Sequence, residues 1–535
     1  MTKIFNAGSY INLGLPADLI IPEDVTEIGN YAFLGCTSLR SVIIPEGVTR
    51  IGERAFQECT SLQSVSIPKS VKQIGEYAFT GCTSLQSVTL PESVTKIGVG
   101  TFYDCPSLQG VIIPRSVTVI GGSAFEDCTS LQSVILPEGV TVIDERVFSG
   151  CSSLQSVTIP EGVTVIGGSV FEDCTSLQSI SIPEGVTMIG ERAFSGCTSL
   201  QSITIPKSVT EIGGMAFDGC NLEDLNIETS RFIFKQGFII NKENNCLVSS
   251  TFTRILDAII PEGVKKIGRG AFQECTSLQS VTIPKGVTEI SECAFRGCTS
   301  LQSVSIPKSV KQIGEYAFTG CTSLQRVTLP EGVTEIGGST FEACRSLKSV
   351  ILSGSLTKIG EKVFSGCTSL QSVIIPGNVT VIGDSAFEAC TSLKSVTIPE
   401  SVKKIGGNTF SRCTSLQSVI ISEGVKKIDG NTFSGCTSLQ SVIIPEGVTV
   451  ICWQAFYGCM SLQSVIIPAS VTEIEFGAFK GCTLLQTVTL LGSKERIARS
   501  AFTGFTRINT VNRPKGLTWS KVKTRFDDSP LTCSH

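Results

Sequence analysis

Cysteine is the reactive residue type that recurs most along this chain. Of 23 cysteines, nineteen share one spacing: Cys36, Cys59 and onward to Cys220, then Cys275 to Cys482, in steps of 23. The other four are Cys246, Cys293, Cys452 and Cys533. Thiols in such an array could hold metal, form disulfides or simply pack. Zinc needs about four converging ligands from C-x2-4-C clusters, and no such cluster exists. Disulfide frameworks belong mostly to small domains short of core, whereas 41% of this chain is apolar. Neighbours stacked at about 4.8 Å are within bridging reach, but each Cβ pair would have to turn inward. The remaining reading is a column of buried free thiols acting as small hydrophobes. Histidine chemistry is almost wholly excluded, because His535 is the only histidine and the last residue. That removes Ser-His-Asp triads, Cys-His dyads, HExxH and His-ligated zinc. No GxxxxGK[ST] phosphate loop occurs. Carboxylate pairs of the glycosidase kind need no histidine, yet no segment carries an acid pair absent from the others. The sequence points to no enzyme, no metal and no cofactor.

The net charge of −4 over 535 residues gives no overall pull toward nucleic acid. No apolar stretch approaches the ~18–20 residues of a membrane span.

The elements that position these residues come from a repeat. A phrase close to IPEGVTVIGGSAFEDCTSLQSV recurs along most of the chain. Its Ile/Leu-Pro start falls at Ile21, Ile44, Ile67 and on in 23-residue steps to Ile205, then from Ile260 to Ile467, with a degraded copy at Leu490. That gives about 20 coils in two blocks. In one unit, Val65 and Ile67 alternate as a strand with one buried face should, and Pro68 ends the strand because it has no N–H to donate. Val48 and Ile51 follow the same logic. Ala55 and Phe56 fall in a short turn of expected helix, and Cys59 and Leu62 complete the coil. Eight side chains per unit point inward. One unit cannot stand alone, since ordering its backbone costs about as much as its burial returns. Stacked coils share both burial and backbone hydrogen bonds. The glycine after the second inward Ile, as in Gly52 and Gly75, is expected to need positive φ. Asp144 and Asp429 should tolerate that. Ser291, Cys452 and Glu475 should show mild strain or a local change of coil.

The I-P-E-G-V-T-x-I-G segment, the A-F pair and the G-C-T-S-L-Q-S-V segment together resemble the BspA-like leucine-rich repeat family, over about residues 21–502. The resemblance implies an α/β leucine-rich repeat solenoid, with a parallel sheet on one face and short helical turns on the other. It also implies the proposals usual for such relatives: surface proteins of bacteria and protists that adhere to, or bind, host and matrix proteins.

Around the repeats, five segments are expected: an N-terminal cap at 1–20, repeat block 21–227, an island at 228–259, repeat block 260–502, and a C-terminal cap or basic tail at 503–535. The island reads as a hairpin of Phe232–Ile240 and Cys246–Ser250 about a polar turn, Asn241 to Asn245. It serves either as a structural splice or as a protruding binding element. The tail carries Arg507, Arg513, Lys515, Lys521, Lys523 and Arg525 before any acid. It is a solvated end or a docking segment for an anionic partner. Cys533 is third from the end, so a prenylation box fails. Asn6, Ser9, Tyr10 and Asn12 interrupt the apolar start, making it a poor match to a signal peptide. Ser64–Gln86 is identical to Ser303–Gln325, as recent copying would leave it.

In a stacked solenoid each outward position becomes a line on the surface. One column is nearly all Ser. The next mixes Ser, Thr and Ile, with Ile420, Ile443 and Ile466 in three consecutive coils and a shorter pair at Ile112 and Ile135. A further column reads Lys96, Val119, Val142, Val165, Met188, Glu211, an apolar strip between charges. These two strips are the partner-binding candidates. β-Propensity for the first and recent copying for the second are the plainer explanations. The leading reading is a non-catalytic, protein- or glycoprotein-binding solenoid of cell-surface, adhesion type. An intracellular scaffold is the alternative, favoured by free thiols and the poor signal match. Ser/Thr ladders such as Ser87–Thr89 make ice binding a third. Asn378-Val379-Thr380 is the one glycosylation sequon, and glycan there would mark the secretory route.

Overall fold

The computed structural model describes residues 3–5, 16–220, 222, 224–251, 255–492, 496–498, 500–504 and 510–512. The chain forms two compact units, residues 1–253 and 254–535. Each is a stack of 23-residue coils. Nearly every described coil contributes a short strand such as Ser41–Ile43 and a second such as Arg50–Ile51, while residues 179–181 form no strand. Both pair in parallel with their copies one coil on, Ser41 opposite Ser64 and Arg50 opposite Gln73. In the second unit the first ladder runs through twelve strands, from Asp257–Ile259 to Thr510–Asn512. In the first unit it divides. Asp18–Ile20 to Gly110–Ile112 form five strands, and Ser133–Ile135 pairs separately with Ser156–Thr158.

The eight inward positions of each unit are buried as their spacing requires. In one coil Val48, Ile51, Ala55, Phe56, Cys59 and Leu62 are fully covered, and Val65 and Ile67 nearly so. The phenylalanines stack ring on ring, with centroids 4.8 Å apart for Phe33 and Phe56 and 5.8 Å for Phe148 and Phe171. Each ring thus fills the core of its own coil and covers the ring of the next.

The expected helical turns are absent; no helix occurs among the described residues. Two residues per coil take left-handed backbone, such as Arg54 (φ 53°) and Glu58 (φ 60°). A right-handed helix cannot pass through such points. Alternate N–H groups therefore bond to the next coil rather than back along the chain. Arg54 N donates to Glu76 O (2.9 Å), Phe56 N to Ala78 O (2.7 Å) and Glu58 N to Thr80 O (2.7 Å). The turn face is a third inter-coil ladder, and the fold is a β-solenoid.

The glycine expectation is corrected as well. Gly52 and Gly75 have no positive φ; that conformation belongs to the glycine before the cysteine, as at Gly81 (φ 69°) and Gly150 (φ 73°). What Gly75 supplies is room. A Cβ there would sit 2.4 Å from the backbone nitrogen of Glu53, and one at Gly52 would sit 2.6 Å from that of Asn30. Asp144 and Asp429 also have ordinary φ. Ser291, Cys452 and Glu475 show no change of coil. Their N–H groups reach Ile267, Ile428 and Ile451 carbonyls at 2.9, 3.0 and 2.9 Å, against 2.9 Å for Gly75 to Ile51.

The island is three antiparallel strands rather than two: Phe232–Lys235, Phe238–Asn241 and Cys246–Ser250. Gln236 and Gly237 are both left-handed, at φ 53° and 79°, so the expected first strand folds back on itself there. Its buried Ser249 hydroxyl accepts from Phe217 N (3.4 Å), and Ser250 donates to Asp218 Oδ1 (3.2 Å). Of the N-terminal cap, Ile4–Phe5 and Asp18–Ile20 each pair with the first full coil. Residues 6–15 and the basic tail from 513 lie outside the described residues, as do Cys533 and His535.

Gly75→Ala, and Gly314→Ala at the duplicate site with the same 2.4 Å approach, are each expected to destabilise the stack by about 1–3 kcal/mol. Ser291→Ala should change little. Native-state hydrogen exchange at the amides of the altered and adjoining coils reads the difference, and equal protection in all three variants would contradict it.

Candidate binding surfaces and the thiol column

The two sequence-derived strips lie on different ladders and in different units. Val142, Val165 and Met188 occupy consecutive paired strands, ending against Glu211. Val119 pairs instead with Lys96 in a separate two-stranded segment. Val119 is 46% exposed and Val142 similarly so, but Val165 and Met188 are half-buried. The strip therefore fades along its length.

The isoleucine strip is more open. Ile420 stands opposite Ile443 and Ile443 opposite Ile466, with Ile443 68% exposed. The column also continues where sequence reading stopped. Ile351 and Ile374 occupy it three and two coils before Ile420, with Ile374 85% exposed and only Thr397 intervening. Following the same position back past one threonine would have found them. Their neighbours are outward serines, such as Ser372, Ser418 and Ser441. A hydroxyl-flanked line of aliphatic side chains can bury apolar surface against a partner while neutral groups rim it.

In the first unit Ile112 and Ile135 line an open slot with Val111, Ile113 and Leu136, and Arg115 and Glu138 stand beside it. The division of the first ladder falls between these two isoleucines. Gly110 occupies the serine column there, and Val111 is only half-buried.

Every described cysteine is buried, and no disulfide joins any of them. What the thiols bond to is visible only in the folded coils. Cys59 Sγ donates to Phe33 O one coil back (3.1 Å), and the pattern repeats to Cys482 on Phe456 O (3.2 Å). The side chain is a small hydrophobe with one weak donor, satisfied by a carbonyl that also accepts an N–H. Burial pushes the thiols of Cys59, Cys105 and Cys413 up from 9.0 to about 12. Among the described residues no cluster of His, Cys, Asp or Glu could hold a metal ion. No described helix is long and apolar enough to cross a membrane. Asn378 is exposed, but its amide nitrogen donates to Gly354 O (2.8 Å), a bond that a glycan would have to displace.

The raised thiol values fix the sign of a pH effect. Below about pH 9 folded and unfolded thiols are both protonated, and their contribution to stability is complete. As pH rises from 9.0 toward about 12, the unfolded chain sheds protons first and stability falls. Melting temperature should therefore drop between pH 9 and 11. In a Cys533→Ser chain a thiol reagent at pH 8 should label almost nothing until denaturant is added. Rapid native labelling would refute the sealed column.

No curated protein matches the chain. Among solved structures, a leucine-rich repeat protein from Bacteroides ovatus is 28% identical over 80% of this chain and 92% of that one, with a TM-score of 0.35. A leucine rich cell surface protein from Faecalibacterium prausnitzii is 28% identical over 80% and 88%, with a TM-score of 0.36. A T. pallidum leucine-rich repeat protein is 38% identical over 30% and 78%, with a TM-score of 0.30. The profile of the BspA type leucine-rich repeat region matches six times, at 5–132, 120–246, 243–371, 288–417, 357–485 and 404–528. With that profile covering nearly its whole length, the chain belongs to the BspA-type leucine-rich repeat family.

Proposed function

We propose that this chain is a non-catalytic binding solenoid of cell-surface, adhesion type, whose partner is a protein or glycoprotein. Leucine-rich repeat solenoids typically interact with proteins. The observation that carries the reading is the open isoleucine column of the second unit, Ile351, Ile374, Ile420, Ile443 and Ile466. Buried aliphatic side chains would serve the fold better; five exposed ones on a single line serve contact. Val119, Val142, Val165 and Met188 form the secondary contact of the proposal.

The thiol geometry supports placing this contact outside the cell. Free cysteines speak for a reducing compartment when they are reactive. Here the described ones are buried, and a thiol such as that of Cys82 is pushed well above its usual range by burial and bonded to the Phe56 carbonyl. Oxidants act on exposed thiolates, so an oxidising exterior leaves such a column alone.

The test has two parts. Protease treatment of intact source cells should remove an epitope in the C-terminal tail; protection until permeabilisation would favour the intracellular scaffold. The purified chain should bind cells or matrix-coated surfaces. Changing Ile420, Ile443 and Ile466 together to Ser should weaken that binding by about 10-fold or more with an unchanged melting temperature. Unchanged binding would remove the column from the contact.

A further inference from the structure

The duplicated segment offers an internal comparison. Ser64–Gln86 and Ser303–Gln325 are identical, so Tyr77 of the first unit and Tyr316 of the second sit in the same local sequence. Their backbones match as well. Both have φ of 56°, and each N–H donates to the next coil, Tyr77 to Val99 O (2.9 Å) and Tyr316 to Gly338 O (3.0 Å). What differs is the coil on either side. In the first unit the guanidinium of Arg54, one coil back, lies 5.2 Å from the Tyr77 ring centroid and 5.8 Å from that of Tyr31. A cation is thus held between two aromatic faces. Its Nε is 3.6 Å from the Glu53 carboxylate.

The second unit keeps the tyrosine and loses the cation. Cys293 stands where Arg54 does, with the same left-handed backbone (φ 55° against 53°) but no charge. Gly270 replaces Tyr31. No described cation lies over the Tyr316 ring. Arg269 and Arg296, in the two coils before it, are engaged elsewhere: Arg269 pairs with Glu292 (3.5 Å), and Arg296 faces the Cys293 thiol. The coil ahead changes too. Tyr77 lies across Gly100, where a Cβ would be 2.4 Å from the ring. Ser339 holds that place in the second unit, so Tyr316 cannot lean forward in the same way. Gly338, in place of Val99, leaves the space ahead of the ring open. Tyr316 is accordingly 39% exposed, whereas Tyr77 is half-buried.

That space is a cleft of about 380 Å³, lined by Tyr316 and Glu315 and, from the next two coils, by Glu335, Lys358, Glu361 and Lys362. Both lysines already face acids. Lys362 is 3.7 Å from Glu361, and Lys358 stands opposite Glu335 in the ladder. Glu315 takes part in none of the ion pairs among the described residues. A guanidinium suits such a place, because its plane stacks on an aromatic ring while its N–H fork binds a carboxylate. The first unit shows that this tyrosine, in this sequence, accepts one. Building on the reading of the chain as protein-binding, we propose that Tyr316 and Glu315 seat an arginine side chain of the partner, in the role that Arg54 fills within the first unit.

Fluorine NMR on the full-length chain carrying meta-fluorotyrosine tests this, with signals assigned through Tyr316→Phe and Tyr77→Phe. A Gly-Arg-Gly tripeptide blocked at both ends should shift the Tyr316 signal with a Kd on the order of millimolar. The Tyr77 signal, whose cation is internal, should stay in place. The same tripeptide with neutral citrulline for arginine should bind at least about 10-fold more weakly. Glu315→Gln should weaken the arginine tripeptide by about 3-fold or more. Cys293→Arg combined with Ser339→Gly restores the first unit's set and should abolish the response. A Tyr316 signal that stays still, or that moves equally with citrulline, overturns the proposal. So does an undiminished response in Glu315→Gln. In the cell-binding assay Tyr316→Ala should lower binding several-fold, and unchanged binding would remove the seat from partner recognition. The titration needs no cell, so a chain that seats arginine yet binds no cell contradicts the surface reading alone.

Discussion

The structure depends on one constraint: the backbone donors of each coil find their acceptors in a neighbouring coil. Three ladders do this at once, through Ser41 opposite Ser64, Arg50 opposite Gln73, and Phe33 N to Ala55 O at 2.7 Å. The strand N–H groups and alternate N–H groups of the turn face have their partners in the neighbouring coil, so each coil must copy the path of the one before. The 23-residue period of the sequence follows from that demand.

The side chains follow the same rule. Phenylalanine rings stack at 4.8 to 5.8 Å because their coils do. Cysteine fits its column because it is small, apolar and able to give one weak hydrogen bond to the Phe carbonyl behind it. Threonines join in on the outside: Thr187 Oγ1 donates to Thr164 O at 3.2 Å, and Thr164 Oγ1 to Thr141 O at 3.3 Å. Even hydroxyls at the surface are drawn into inter-coil bonding. Function is therefore left to the few columns where a residue departs from the repeat without disturbing its backbone.

Inward positions were legible in the sequence because burial leaves a period, and Val48, Ile51, Phe56 and Cys59 all lie where that period puts them. The turn face was not legible. Its left-handed points fall on other residues, as at Arg54, Glu58 and Ser123, more often than on glycine, so composition marks them poorly. Gly75 was recognised as special but for the wrong reason, since a lone glycine does not distinguish an unusual φ from a close approach. The isoleucine strip was seen in part: unbroken succession revealed Ile420 to Ile466, and one threonine hid Ile351 and Ile374.

The island at the end of the first unit has a bearing on how the chain counts its own coils. Consecutive repeats are so alike that a stack shifted by one whole coil, with 23 residues looped out, would satisfy nearly the same ladders and columns. Ser64–Gln86 and Ser303–Gln325 would even be interchangeable. Repetition supplies stability but no origin from which to number it. The three island strands supply one. Phe238, Ile239 and Leu247 are buried, Ile239 within the core shared with the coils before it, and Ser249 and Ser250 fasten the island to Phe217 and Asp218. Those contacts are made by a single coil of the array. A slipped stack would forfeit them, so this non-repeating element acts as the bookmark of an otherwise unnumbered sequence of pages.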